Sequence, residues 1–237
     1  MKKYYDAFKA AFPLTLPICA AYLFLGISFG IYFCSKGFSP IYPTLTALVV
    51  FAGSLEFVIV TMLMGEFDPI YMFLLAVMIN ARHLFYGITM LEAYKNMGLA
   101  KLYLIFGLTD ETFAINVAIA PPETVDKKTY YFFVTVLNQC YWVTGATIGG
   151  LIGSNITINT KGLDFVLTAL FVALFVSQYQ NMDDHLPAFA GLIIPTICLV
   201  FLGAKSFIPP AMVMIILFFA MMFNREQKSK KCKEELQ

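Results

Sequence analysis

Along this chain the apolar positions do not alternate with polar ones at a strand or amphipathic-helix period; they run on unbroken. Residues 10–35 form 26 consecutive positions without a charge, and 129–160 form 32. Both exceed the roughly 20 residues with which a helix crosses about 30 Å of hydrocarbon. Further charge-free runs cover 37–55, 165–182, 186–204 and 206–224. The pattern predicts an all-α, polytopic transmembrane helix bundle of about eight spans, near 12–34, 41–64, 69–91, 101–120, 130–153, 163–180, 186–203 and 207–223. Proline and glycine mark the joints: Gly37 with Pro40 and Pro43, Pro69, the pair Pro121 and Pro122, and the pair Pro209 and Pro210.

Eight spans use about 160 of the 237 positions, which leaves one membrane domain over 1–237 and no room for a soluble one. The basic start, Met1-Lys2-Lys3, precedes an apolar stretch too long for a signal peptide, so it reads as a retained first span. With both ends on one side, ten Lys and Arg (2, 3, 9, 127, 128, 225, 228, 230, 231 and 233) face five (36, 95, 101, 161 and 205) on the other. Cytoplasmic segments carry the basic excess, so both termini are expected in the cytoplasm, which requires an even number of spans. The chain is therefore expected to sit in a membrane that it crosses many times.

Composition sharpens this. Hydrophobic residues make up 59% and charged ones 13%, against roughly 45–50% and about 25% in soluble domains. A water-soluble globule is excluded. The net charge of +1, with its basic residues mostly at the ends, gives no cationic face for nucleic acid. The five cysteines, Cys19, Cys34, Cys140, Cys198 and Cys232, show no CxxC spacing and read as free packing thiols. Asp183-Asp184-His185 has ligand types for a metal but reads as a solvated turn, so neither metal nor cofactor is expected.

Candidate chemistry lies in ionisable residues at depth, each costing about 2.5–3.5 kcal/mol to insert at the bilayer centre. They are Glu56 in the second span, Arg82 with His83 in the third, and Asp110-Glu111 in the fourth. A rise of about 1.5 Å per residue puts them in one central layer. Three acids against one base leave an excess that protons or a cationic ligand group should meet. An amino acid zwitterion suits the layer: Arg82 offers a donor fork to its carboxylate, and a carboxylate receives its ammonium. Asn80 adds an amide. Phe51-Ala52-Gly53-Ser54 permits local unwinding beside Glu56, as in discontinuous transporter helices. The site set is therefore Ser54, Glu56, Asn80, Arg82, His83, Asp110 and Glu111. Gly26 and Gly30, and the ladder Gly145, Gly149, Gly153, read first as close helix packing within the chain and second as contact with a companion subunit. Trp142 reads as packing.

These residues resemble the AzlC family, the large subunits of bacterial branched-chain amino acid exporters. The likeness is carried by Phe51-Ala52-Gly53-Ser54 with Phe57, by Asn80-Ala81-Arg82-His83 with Leu84 and Tyr86-Gly87, and by Leu108-Thr109-Asp110-Glu111-Thr112-Phe113. Trp142 with Gly145 and Gly149, and Gly162-Leu163-Asp164-Phe165 before Phe171 and Leu174, continue it. One departure stands out, since the family usually reads Ala-Gln where this chain has Leu55-Glu56. The resemblance implies export of branched-chain or similar apolar amino acids and a small hydrophobic companion membrane subunit of the AzlD type. Two other classes compete: a channel or sensory subunit gated by the same charges, and a membrane-embedded enzyme using His83 with Asp110 or Glu111. No HExxH, GxSxG or GxxxxGK[ST] motif supports catalysis.

Overall fold

A computed structural model describes residues 2–66, 68–155, 163–180, 184–203, 207, 210–211 and 213–222. All regular structure among them is helical: α1 Lys2–Ser35, α2 Ile41–Val49, α3 Gly53–Leu63, α4 Pro69–Thr89, α5 Ala100–Phe106, α6 Asp110–Ala118, α7 Lys127–Asn155, α8 Leu163–Gln180 and α9 Leu186–Leu202. A further apolar helical stretch covers Val213–Met222. Two of the described helices, Lys3–Ser35 and Pro69–Thr89, are long and apolar enough to cross a membrane by themselves. Large apolar side chains face outward on both, Phe24 and Leu16 on α1, and Leu84, Phe85 and Ile88 on α4. Lipid rather than water suits such a surface.

The chain divides into two compact units, Met1–Met72 with Ile79–Phe171, and Phe73–Met78 with Val172–Gln237. The first is built on α1 and α7. Their contacts advance in step along both helices: Lys3 meets Asp126 at 3.2 Å, Phe8 meets Phe133 with ring centroids 5.7 Å apart, and Tyr22 meets Trp142 at 5.5 Å. Further along, Gly153 lies against Ile31. The two helices are therefore parallel, with Lys3 and the start of α7 at one end, as the charge count groups them.

Both glycine series serve this contact. A β-carbon on Gly30 would collide with the backbone of Ala146 and Gly150, and one on Gly149 with the backbone of Ile27. Gly26 and Gly145 are tight but less so, each leaving a β-carbon 3.0 Å from the opposing backbone. Only hydrogen fits where backbones approach this far, so the ladder packs against its own chain.

Spans two and four depart from the continuous helices expected over 41–64 and 101–120. The first breaks between Val49 and Gly53, where Phe51 takes φ 45° and Ala52 takes φ −138°, ψ 77°. The second breaks between Phe106 and Asp110, where Thr109 is extended at φ −73°, ψ 170°. Gly107 has no room for a β-carbon, because the Thr135 methyl occupies that place. Around these breaks lie two apolar clusters, one centred on Tyr22, Phe29, Phe33, Phe57 and Trp142, the other on Tyr94, Leu104, Leu108, Tyr130 and Val134.

In the second unit, Tyr179 of α8 stacks on His185, centroids 4.1 Å apart, and α8 and α9 line an apolar cleft of about 370 Å³ between Phe175, Val176, Phe189 and Leu192. Asp184 caps α9 by accepting from the Leu186 N–H at 2.9 Å. That fits the turn expected there, although Asp183 lies outside the described residues, as do the basic tail, Lys161, Lys205 and Cys232. Cys19, Cys34, Cys140 and Cys198 are free thiols.

Candidate functional site

The two breaks create helix N-termini inside the first unit, and Arg82 of α4 touches both. Its Nη2 pairs with Asp110 Oδ2, on the first residue of α6, at 3.0 Å and donates to Ser54 Oγ, on the first turn of α3, at 3.4 Å. His83 Nε2 lies 3.9 Å from Asp110 Oδ1. Arg82 and Asp110 side chains keep 26% and 20% of their surface exposed. Yet Arg82 Nε and Asp110 Oδ1 are buried without a hydrogen-bond partner. The planar fork of the guanidinium matches a carboxylate through two parallel bonds, and here one of the two is made.

Helix-end physics explains the placement of the acids. The first four N–H groups of a helix have no partner within it, and its dipole favours negative charge there. In α6 the Thr109 hydroxyl caps the Thr112 N–H at 3.3 Å, and Asp110 and Glu111 occupy the first turn. In α3 the first helical bond is Glu56 N–H to Ala52 O, so the N–H groups of Gly53, Ser54 and Leu55 precede the ladder. Paired half-helix N-termini of this kind favour an anionic ligand group.

Glu56 is fully buried and answers to other partners than Arg82. Its Oε1 accepts from the Ala52 N–H at 2.9 Å and from Trp142 Nε1 at 3.0 Å; Oε2 lies 3.1 Å from the same indole nitrogen. The carboxyl therefore closes the α3 break from one side and ties it to α7 from the other. Trp142 is a core side chain, as expected, and also the donor that satisfies this acid. The edge of its ring lies 3.0 Å from where a β-carbon on Gly53 would be.

Glu111 turns to α1. The Tyr22 hydroxyl lies 2.5 Å from Glu111 Oε2 and 2.8 Å from Thr109 Oγ1. Thr109 donates to Thr112 Oγ1 at 3.0 Å, and Asn138 Nδ2 of α7 donates to Thr112 Oγ1 at 2.9 Å. Beside this row, Gln139 Nε2 donates to Leu48 O at 3.1 Å and its Oε1 accepts from the Tyr103 hydroxyl at 2.6 Å. Three neighbouring positions on α7, Asn138, Gln139 and Trp142, thus hold all four half-helices.

Of the seven residues selected from the sequence, Ser54, Arg82, His83 and Asp110 form one ionic centre. Glu111 stands next to it on Tyr22, and Glu56 is held apart by Trp142. Asn80, two residues before Arg82 on α4, is partly buried and its side chain makes no hydrogen bond among the described residues. Sequence reasoning missed Tyr22, Thr109, Thr112, Asn138 and Gln139. The doublet Asn138-Gln139 inside a charge-free run was the available signal; a single tyrosine among 13 carried none. Among the described residues no cluster of His, Cys, Asp and Glu is arranged to hold a metal ion.

The model of the AzlC protein family matches residues 17–156, which contain every residue of the site. The chain is 50% identical to the branched-chain amino acid transport protein AzlC of Bacillus subtilis, over 89% of this chain and 83% of that one. It is 40% identical to an uncharacterized membrane protein of Haemophilus influenzae over 93% and 91% of the two chains, and 35% identical to one of Helicobacter pylori over 96% and 99%. No solved structure matches.

Proposed function

The chain belongs to the AzlC family, and on that premise we propose that it transports small apolar amino acids, branched-chain ones first, out of the cell across the bacterial cytoplasmic membrane. The half-made fork between Arg82 and Asp110 carries this reading. A zwitterion brings the two charges that this pair already balances. Its carboxylate takes the Nε and Nη2 edge of Arg82, its ammonium takes Asp110, and no net charge is added to the interior. The N-termini of α3 and α6 favour the carboxylate end, and Ser54 orients Arg82 toward it. An apolar side chain adds contact area without needing a polar partner.

In the same reading the membrane is crossed about eight times with both termini cytoplasmic, export is coupled to protons, and a small hydrophobic AzlD-type subunit accompanies the chain. His83 tunes Asp110, and Asn80 extends the polar lining. The breaks in spans two and four supply the segments that alternate the site between the two faces. Bonding of all four half-helices to a single helix supports a scaffold against which they move.

The test is efflux of preloaded labelled leucine, valine and methionine from cells expressing the chain with and without the small partner, comparing wild type with Arg82→Ala and Asp110→Asn. Efflux that falls at least tenfold in both variants, at equal membrane abundance, is expected. Full efflux in Arg82→Ala would refute the carboxylate role. No efflux of any of the three by wild type with its partner would refute the substrate class.

A further inference from the structure

We propose that Glu111, and not Asp110, is the residue that takes up and releases the coupled proton, and that the row Tyr22, Thr109, Thr112, Asn138 is a reversible hydrogen-bond chain built to satisfy it in both states. The proposal rests on the transport reading for the word coupled, but its chemistry stands on the geometry of the row.

The two adjacent acids have opposite surroundings. Asp110 faces a guanidinium at 3.0 Å, so its negative charge is matched by a fixed cation, with the His83 imidazole 3.9 Å away. Glu111 has as its direct partner a neutral phenol at 2.5 Å. The charged and titratable groups that act on it are Asp110 on its own helix, Arg82 and Tyr86 on α4, and Tyr22 on α1; the side that α7 presents to the row is the neutral amide of Asn138. Arg82 is already committed to Asp110. An acid with a neutral, reversible partner can change charge without breaking an ion pair.

The row is what makes the change inexpensive. With Glu111 ionised, Tyr22 O–H donates to it, the Thr109 hydroxyl can turn to Tyr22, Thr112 to Thr109, and Asn138 Nδ2 donates to Thr112, where it lies at 2.9 Å. With Glu111 protonated, every hydroxyl reverses: the carboxyl donates to Tyr22, Tyr22 to Thr109, Thr109 to Thr112. Thr112 O–H then needs an acceptor. Asn138 Oδ1, fully buried and unpartnered, is the atom that supplies it when the amide turns over. An amide has a donor and an acceptor of the same shape, so it terminates the row in either direction and leaves one unpartnered head both ways. A leucine, with neither donor nor acceptor, cannot do this. The step is a single proton passing from water at the open side of the ionic centre to the Glu111 carboxylate and back, with no other bond formed or broken.

The row also joins α1, α6 and α7, and Glu111 shares its helix turn with Asp110. Charge on Glu111 therefore acts one residue away from the ammonium end of the site, which is the linkage a coupled transporter needs.

The experiment is difference infrared spectroscopy of the purified full chain in lipid nanodiscs across a pH titration, with a substrate-independent readout: the carbonyl stretch of a protonated, buried carboxyl. Because Glu56 is a second fully buried carboxyl, the stretch is read in a Glu56→Gln background, where it is expected alone and with Asp110→Asn and is expected to be absent once Glu111→Gln is added. With Tyr22→Phe or Asn138→Leu added, which keep the carboxyl, it is expected to shift. Persistence of the stretch once Glu111→Gln is added, or its absence from Glu56→Gln alone at every pH, would overturn the proposal. Proteoliposomes then separate this idea from the transport reading. Proton movement accompanying leucine flux should fall at least tenfold in Glu111→Gln, and its survival there would overturn the proposal. A wild type that moves no amino acid, with the stretch present in Glu56→Gln and lost on adding Glu111→Gln, would sink the substrate reading and leave the titrating carboxyl in place.

Discussion

Replacing Trp142 with Phe is the most informative stability perturbation, because one atom carries the consequence. The indole ring packs with Tyr22 and Phe29 at centroid distances of 5.5 and 6.1 Å, and a phenyl ring keeps much of that contact. What disappears is Nε1–H, the donor to both oxygens of a carboxyl with no solvent exposure. Glu56 is left with the Ala52 N–H alone. An unsatisfied buried polar group costs about 1–3 kcal/mol, more if charged, and the smaller ring adds about 1 kcal/mol. Trp142→Phe should therefore destabilise by about 2–4 kcal/mol. Glu56→Gln should cost less than about 1 kcal/mol: its carbonyl oxygen in the Oε1 place still accepts from both Ala52 and Trp142, while its NH2 facing the indole keeps the cost above zero. Glu56→Leu removes both acceptors and should resemble Trp142→Phe. Unfolding in mixed micelles, followed by helical circular dichroism, gives these differences. Since Trp142 is the only tryptophan, its fluorescence independently reports the loss of its acceptor in Glu56→Leu and retention in Glu56→Gln. A Glu56→Gln as damaging as Trp142→Phe, or Glu56→Leu and Trp142→Phe effects that add within about 0.5 kcal/mol, would refute the clamp.

Gly149→Ala puts a methyl group into the Ile27 backbone and should cost about 1–3 kcal/mol or more, measured in the same unfolding assay, whereas Gly191→Ala, where a β-carbon meets nothing within 4 Å, should cost little. Gln139→Leu strands the Leu48 carbonyl and the Tyr103 hydroxyl together and should speed hydrogen exchange at the α2 end and in α5, seen by mass spectrometry; unchanged protection there would count against the α7 brace. Asp126 caps α7 by accepting from the Thr129 hydroxyl and N–H, which, with Lys3, holds its carboxyl below the usual range. A lowered folded value means that its contribution is present above the ordinary carboxylate range and lost as pH falls through the folded value. Asp126→Ala should thus cost about 1 kcal/mol at neutral pH and nothing in strong acid, checked by unfolding at both.

How much of this was legible follows from what each residue announces. Arg82 and Asp110 stand out in apolar runs because a charge in a span is rare, and the structure joins them at 3.0 Å. The glycine ladders announce close approach by their spacing and meet each other. Span boundaries at Pro69, Leu163 and Leu186 follow punctuation. The break before Gly53 was readable as a permissive stretch; the break before Asp110 was not, although Thr109 followed two residues later by Glu111 and three later by Thr112 is a helix-start sequence. It was hidden because an N-cap inside an apolar run has the same composition as a continuous span. Glu56 misled for the opposite reason. A buried acid advertises its charge but not its partner, and the partner here is an indole 86 positions away.

Why the two broken spans need α7 follows from the count of backbone groups. Each break strands carbonyls at the end of one half-helix and N–H groups at the start of the next, in an interior where lipid supplies no partner. A chain that breaks two spans must bring polar side chains to both places from a helix that passes them. α7 does so with Asn138, Gln139 and Trp142, which face α6, α2 with α5, and α3. That row lowers the hydropathy of α7 enough that, despite 29 residues, it does not qualify as a span by apolarity alone. Its polarity and the two interruptions are therefore one feature. The glycine contact with α1 fixes α7 in place, so the side chains that close the breaks are held by the stiffest part of the unit. Motion of the half-helices then has to exchange these few hydrogen bonds rather than unpack a core, and the bonds to exchange first are those whose partners can serve in two directions, the hydroxyls and the Asn138 amide.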